Sequence, residues 1–294
     1  MIGSASKLLE KLRIKQSSVQ NGSPSILDND KAISISLVTT TFNSERYLED
    51  TIQSVINQNY PKLEYIIIDG GSTDRTVEII RDYQSHISYW VSEADRGHHH
   101  ATAKGLARTT GTIMGWINSD DILFPWTLNT IAQLFTQRPD ISWVTGLAST
   151  IDEHGFYYQT KQQPAFRKES FILFDSGNIQ QESTFWRRSL WKKTGNYHDD
   201  SYNYAADLEL WCRFFFHSKL HTVPLPLGAW RRHTSNISHD ADRQREEKAV
   251  RKRYRKLLGP KDYIVGLIQF CRDKFIAFLT PTATVQYHAK DSSY

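Results

Sequence analysis

The sequence predicts an α/β protein: a mixed, mostly parallel sheet flanked by helices, with a helical extension at its C-terminal end. Short β-branched runs such as Ile33-Ser34-Ile35-Ser36-Leu37-Val38 and Tyr65-Ile66-Ile67-Ile68 alternate with stretches of helical periodicity over the first half of the chain. Polar or glycine-rich clusters follow the ends of these runs, where open parallel sheets bind ligands. At 294 residues the chain can bury a full core, as one large domain or two small ones.

Residues 1–31 carry a mildly basic amphipathic stretch (Leu8, Leu9, Leu12 and Ile14 among Lys7, Lys11, Arg13 and Lys15) and a turn, Asn21-Gly22-Ser23-Pro24. They read as a tail or linker, without the apolar core of a signal peptide. The first strand at 33–38 leads to a helix from about Glu45 to Gln58. A second strand, 64–69, is closed by Gly70-Gly71 and leads to a helix from about Thr73 to Tyr83, with Ser72 placed to cap it. Strands at 87–92, 112–117 and 141–147 then alternate with helices near 99–108 and 125–136, as in a parallel sheet covered on both faces. After residue 150 the pattern becomes irregular, with a helix near 205–217 and two short strands near 219–231. Helices near 240–258 and 261–279 close the chain. The expected organisation is a tail (1–31), an α/β domain (32–235, with halves meeting near 150) and basic, amphipathic helices (236–294).

A hydrophobic fraction of 39% and a charged fraction of 23% are ordinary for a soluble globular protein. Two cysteines, Cys212 and Cys271, give no disulfide framework, so a reducing, cytoplasmic compartment is expected. The longest apolar candidate, Tyr263 to Leu279, is broken by Arg272, Asp273 and Lys274, which excludes a bilayer span. From Arg231 to Lys261 there are 11 Lys/Arg against 4 Asp/Glu, a local +7 within a net +4. Such a segment seeks phosphates or anionic lipid, or is a solvated helix face with Arg243, Glu247 and Arg251 spaced four apart. It carries no nucleic-acid-binding motif. Tyr263, Ile264, Leu267, Ile268, Cys271, Phe275, Phe278 and Leu279 can form an apolar stripe beside it. That stripe either docks at the inner face of a membrane or packs on the domain or a second subunit.

Three strand ends carry the candidate chemistry: Thr39-Thr40-Thr41-Phe42-Asn43-Ser44-Glu45, Asp69-Gly70-Gly71-Ser72-Thr73-Asp74 and Asn118-Ser119-Asp120-Asp121. Adjacent carboxylates such as Asp120 and Asp121 repel unless a cation sits beside them, and Mg²⁺ or Mn²⁺ suits carboxylates plus diphosphate oxygens. The alternative is a simple helix cap before Pro125. Gly70-Gly71 permits a sharp turn or close approach to a ligand. His98-His99-His100 follows Gly97; consecutive histidines on a helix point in different directions, which argues against a metal site and leaves phosphate or acceptor contacts with Arg96. Asp207 lies in the first turn of an amphipathic helix whose Ala205, Leu208 and Trp211 stripe would hold it rigidly, as a general base requires. Complementing the helix dipole is its alternative role.

Taken together, Thr40-Phe42-Asn43, Asp69-Gly-Gly-Ser-Thr-Asp74, Asp95-Arg96-Gly97, Asn118-Ser-Asp-Asp121 and Ala-Ala-Asp207-Leu-Glu-Leu-Trp211 resemble glycosyltransferase family 2, over about residues 33–235. The resemblance implies a GT-A (Rossmann-like) fold and an inverting glycosyltransferase. By that likeness Thr40, Phe42 and Asp69 cradle the nucleobase, Asp95 and Arg96 lie along the donor, Asp120 faces the ribose, and Asp121 ligates the divalent cation. Asp207 matches the base, and His233 a histidine near the metal. Glu45 is placed with the nucleotide contacts, and His100, Lys104, Glu182 and Trp211 are candidates for the donor sugar or acceptor. Trp186, Trp191, Tyr157 and Tyr158 stack on a sugar or belong to the core. Gly70, Ala103 and Ala206 depart from common family residues, and no Gln-x-x-Arg-Trp motif is present, which implies single addition. The expected donor is a UDP-, dTDP- or GDP-linked sugar, the acceptor a saccharide or lipid-linked hydroxyl in cell-surface polysaccharide or glycoconjugate synthesis. A nucleotidyltransferase would need a Gly-rich, Lys/Arg-bearing triphosphate loop after the first strand, which is absent. A non-catalytic module of the same fold is the other alternative.

Overall fold

The computed structural model describes residues 32–161, 166–175, 177–234, 236 and 240–279, the side chains at 240, 274 and 276–279 excepted. The chain divides into a short N-terminal unit, Met1–Ala32, and a large one, Ile33–Tyr294. The amphipathic stretch at 8–14 lies outside the described residues, as do the side chains of Phe278 and Leu279.

The parallel part of the sheet is β1 (Ile35–Thr41), β2 (Leu63–Asp69), β3 (Tyr89–Ser92) and β4 (Ile113–Asn118). Every residue of β1 is buried, because helices cover both of its faces. The helices between these strands are α1 (Leu48–Ile56), α2 (Thr76–Asp82) and α3 (His98–Arg108), with α4 (Thr127–Gln137) following β4. Leu48, Thr51, Ile52 and Val55 form the buried stripe of α1, the spacing that a helix lying on a sheet requires. Gly105 brings α3 down onto the sheet: a Cβ there would overlap Val38 and lie 3.2 Å from Ile68 Cγ1. Ser72 does not cap α2; the helix begins later, and the Thr76 N–H donates to Asp74 Oδ1 at 3.0 Å.

The remaining strands are β5 (Ile122–Leu123), β6 (Trp143–Ile151), β7 (Tyr157–Lys161), β8 (Thr184–Arg187) and β9 (His221–Arg231). The sheet order is β3-β2-β1-β4-β8-β6-β9-β5, with β7 beside β6. Strand order reverses at β1, which lies between β2 and β4, so a crevice opens past the carboxyl ends of β1 and β4. The stretch read as irregular holds β7, α5 (Lys168–Phe174), β8 and α6 (Arg188–Lys193), and β8 lies mid-sheet, antiparallel to β4 and β6. The two short strands expected near 219–231 are one strand, β9, whose register against β6 shifts twice around its prolines.

Behind the crevice, α7 (Ala206–Phe215) packs on an aromatic core in which Trp211 stacks on Trp116 at 5.4 Å and on Trp143 at 5.7 Å. Two more helices, α8 (Asp240–Arg255) and α9 (Pro260–Leu279), follow β9. Both cysteines are free thiols, Cys212 buried and Cys271 exposed.

Candidate active site

The crevice has a volume of about 1200 Å³ and draws its walls from the ends of β1 and β4, the start of α3, the segment before β8, the start of α7 and the residues after β9. At the end of β1, Thr40 Oγ1 lies 3.0 Å from His98 Nδ1. Phe42, one residue past the strand, is 60% exposed, a large apolar ring free to stack on a planar ligand. A Cβ on Gly70 would fall 3.4 Å from Phe42 Cδ2 and 2.9 Å from Asp95 Oδ2. The Asp95 carboxylate therefore fills the space that a side chain at 70 would take, held by the Gly97 N–H donating to Oδ1 at 2.6 Å.

Asp120 and Asp121 take different positions. Asp120 lines the crevice, with His233 Nε2 3.0 Å from Oδ2 and the Asn236 amide near both. Asp121 is fully buried. Its Oδ1 accepts the Arg231 N–H at 2.9 Å, and its Oδ2 accepts from Gln181 Nε2 at 3.3 Å. Burial, with Asp120 and Glu182 nearby, pushes its carboxyl well above the usual range. Asp121 thus ties the end of β4 to β9, whereas of the two carboxylates it is Asp120 that lines the crevice.

Six further candidates, Asp69, Glu45, Arg96, His100, Lys104 and Trp211, lie outside the lining of the crevice. Asp69 is fully buried, and its oxygens accept from the N–H groups of Gly71 and Ser72 and the hydroxyls of Ser72 and Ser92. It builds the turn and leaves the crevice to Gly70. Glu45 accepts the Arg75 N–H at 3.0 Å, bracing the start of α2. Arg96 points outward to Asp200 at 2.6 Å, and its backbone N–H donates to His100 Nδ1, so neither side chain lines the crevice. Lys104 pairs with Glu93 at 2.9 Å in a separate small depression. Trp211 is 1% exposed and belongs to the core, as do Trp186 and Trp191, whereas Tyr157 and Tyr158 are exposed.

Asp207 and Glu182 do face the crevice. Asp207 Oδ1 accepts the Leu208 N–H at 2.7 Å, and burial raises its pKa to about 6. Glu182 sits in a 3₁₀ turn before β8, is 3% exposed, and is pushed up to about 8 by burial and by the charges of Asp120 and Asp207. Its Oε1 has no hydrogen-bond partner among the described residues. Glu209, by contrast, is buried between Arg213 at 2.9 Å and the Tyr254 hydroxyl at 2.6 Å, a structural pairing. The profile of glycosyl transferase family 2 matches residues 36–195, which carry all of these strand ends up to β8.

The chain belongs to glycosyl transferase family 2. An uncharacterized glycosyltransferase of Rickettsia typhi is 26% identical over 222 residues, 72% of this chain and 68% of that one. The Bacillus subtilis protein TuaG, named for teichuronic acid biosynthesis, is 36% identical over 92 residues, and the match spans only 36% of its length. The structure of the Pyrobaculum calidifontis mannosyltransferase PcManGT with GDP-Man and Mn²⁺ has a TM-score of 0.60 at 19% identity, over 90% of this chain and 76% of that one. Staphylococcus aureus TarS 1–349 with UDP-GlcNAc has a TM-score of 0.59 at 15% identity, over 74% and 65%. These likenesses give the family 2 chain its GT-A fold.

Sequence reading missed three arginines of this glycosyltransferase that line the crevice, Arg46, Arg232 and Arg243, all of a charge and shape suited to phosphate oxygens. Arg232 adjoins His233, but only the end of β9 at Arg231 and the lining of the crevice show which of the two arginines faces it. Among the described residues no group of three or more His, Cys, Asp or Glu is arranged to hold a metal ion. The Asp120 carboxylate and His233 imidazole fit a cation whose remaining ligands are diphosphate oxygens and water, the way Mg²⁺ and Mn²⁺ meet nucleotides.

Proposed function

We propose that the chain transfers a single sugar, with inversion, from a nucleotide diphosphate-sugar to a hydroxyl of a saccharide or lipid-linked acceptor in cell-surface polymer synthesis. The observation that carries this reading is that Asp120, two residues past β4, and Asp207 on α7, distant in sequence, open on one crevice. Phe42 stacks on the nucleobase, and the Asp95 carboxylate beside Gly70 accepts an N–H of that base. Arg46 and Arg232 meet the diphosphate. Asp120 and His233 would hold a divalent cation, which when bound would supply positive charge to the leaving diphosphate. Asp207 accepts the proton of the acceptor hydroxyl as its oxygen attacks the anomeric carbon from the face opposite the diphosphate. The nucleotide-sugars bound by TarS and PcManGT, and the Mn²⁺ with the latter, support the donor class, and the name of TuaG supports the polymer setting.

The test is turnover by Asp207→Asn. Nucleotide-sugar affinity stays within about twofold, while release of nucleoside diphosphate with acceptor falls by roughly 100-fold or more. Transfer at the wild-type rate would remove Asp207 as the base, and release of pyrophosphate instead of nucleoside diphosphate would assign nucleotidyl transfer.

A further inference from the structure

Helix α9 is amphipathic in the reverse of the sense expected for a helix lying on a domain. Its inward face is small or polar. Gly266 is buried against α5, where an added Cβ would fall 2.8 Å from Leu173 Cδ1 and 3.2 Å from Glu169 Cβ. Gln269 is 9% exposed, and Asp262 accepts from Lys168 Nζ at 3.0 Å and from the Gly259 N–H at 2.8 Å. Phe270, stacked on Phe174 at 4.7 Å, is the large apolar contact on this side.

The outward face is apolar. Ile264, Leu267, Ile268 and Phe275 are 62%, 54%, 63% and 62% exposed, and their spacing places them, with exposed Cys271, on one stripe. No described residue covers it. Leu257, in the turn before the helix, is exposed to the same degree. Burying such side chains stabilises any contact that accepts them, so a stripe of this size marks an interaction surface.

Charge indicates what covers it. Helical spacing puts Lys261 and Arg272 on the margins of the exposed face, and both are exposed. The helix's described acids, Asp262 and Asp273, fall on the opposite side, Asp273 reaching back to Arg272 at 2.9 Å. Lys252 and Lys256 on the approach to the turn are exposed as well. A second copy meeting this stripe about a two-fold axis would bring cations toward cations with no acid on the face to answer them. An anionic lipid surface answers both properties: acyl chains accept the stripe while lysine and arginine reach the headgroups. The helix is not long and apolar enough to cross a membrane, so it lies in the interface.

We propose that the exposed face of α9 is the surface by which this chain docks on an anionic lipid bilayer. The inference stands on the geometry of the helix and does not depend on which acceptor the crevice serves. The test is co-sedimentation of the full chain with phosphatidylcholine vesicles with and without phosphatidylglycerol. The wild type sediments with the anionic vesicles and is released by salt. Ile264→Glu/Ile268→Glu lowers the bound fraction by roughly tenfold or more, and Lys261→Glu/Arg272→Glu lowers it too, both keeping the wild-type Tm because the altered side chains are exposed. A wild type that fails to sediment with anionic vesicles overturns the proposal, as does equal sedimentation of the Ile264→Glu/Ile268→Glu variant. Light scattering that shows a dimer broken by Ile268→Glu, without vesicle binding, would assign the face to a second copy.

Discussion

Asp120 and Asp121 are neighbours, yet one carboxylate reaches the crevice beside His233 while the other accepts a backbone N–H from β9. Their substitutions should separate accordingly. Asp120→Asn weakens Mn²⁺-dependent donor binding by roughly tenfold or more with an unchanged Tm. Asp121→Ala leaves the Arg231 N–H without its acceptor and costs about 1–3 kcal/mol in denaturant unfolding. Asp207, raised to about 6, is ionised above that pH, so transfer should rise with pH through about 6 and then level off. A flat profile from about pH 5 to about pH 8 would detach the rate from this carboxyl. Glu182 is raised from 4.5 to about 8, so the folded state holds a proton that the unfolded state has released across that interval. Stability of the cation-free protein therefore falls as pH rises from 4.5 toward 8, and Glu182→Gln should lessen that slope in thermal melts, with Asp121 and Asp207, also raised, contributing the rest.

At the scale of elements, what the sequence revealed depended on periodicity. The β-branched runs of β1, β2 and β4 and the stripes of α1 and α4 carry enough residues to show their period, and their strand ends located the crevice. β8 did not, because Thr184-Phe185-Trp186-Arg187 is four residues long and buried on both faces, so no alternation marks it. Glu182 could be named, but its setting depends on β8, and that depends on antiparallel pairing with strands far away in sequence. The orientation of Asp69 and Asp121 was not legible for a related reason: a motif gives residue types, whereas orientation follows from the N–H groups that happen to face them. Packing ties this region to β9. A Cβ at Gly228 would run into the backbone carbonyl of Glu182, so Gly228→Ala must push the 3₁₀ turn toward the crevice. The expected cost is about 1–3 kcal/mol in unfolding, with a loss of turnover larger than that of Gly105→Ala at equal stability.

Across the whole molecule, the first half of the chain supplies Thr40, Phe42, Asp95 and Asp120 to the crevice and the second half supplies Glu182, Asp207 and Arg232. Trp211 joins the halves by stacking on Trp116 of β4, one helical turn from Asp207. Trp211→Ala should therefore cost about 3–5 kcal/mol in unfolding and lower the rate through a loosened α7. On the proposed reading the cation's remaining ligands are oxygens of the donor diphosphate, so a nucleotide-sugar with Mn²⁺ should raise the Tm by more than the sum of the two added singly, with up to about 2.7 kcal/mol at a hundredfold excess over Kd. At the Phe42 end of the crevice, proposed for the nucleobase, the carboxylate of Asp95 and any side chain at 70 claim the same volume. Gly70→Asp alone crowds two acids together, and Asp95→Gly alone leaves the base unread. On the proposed reading, the exchanged pair Gly70→Asp/Asp95→Gly should recover donor binding that each single change loses, because one acid then occupies the one space.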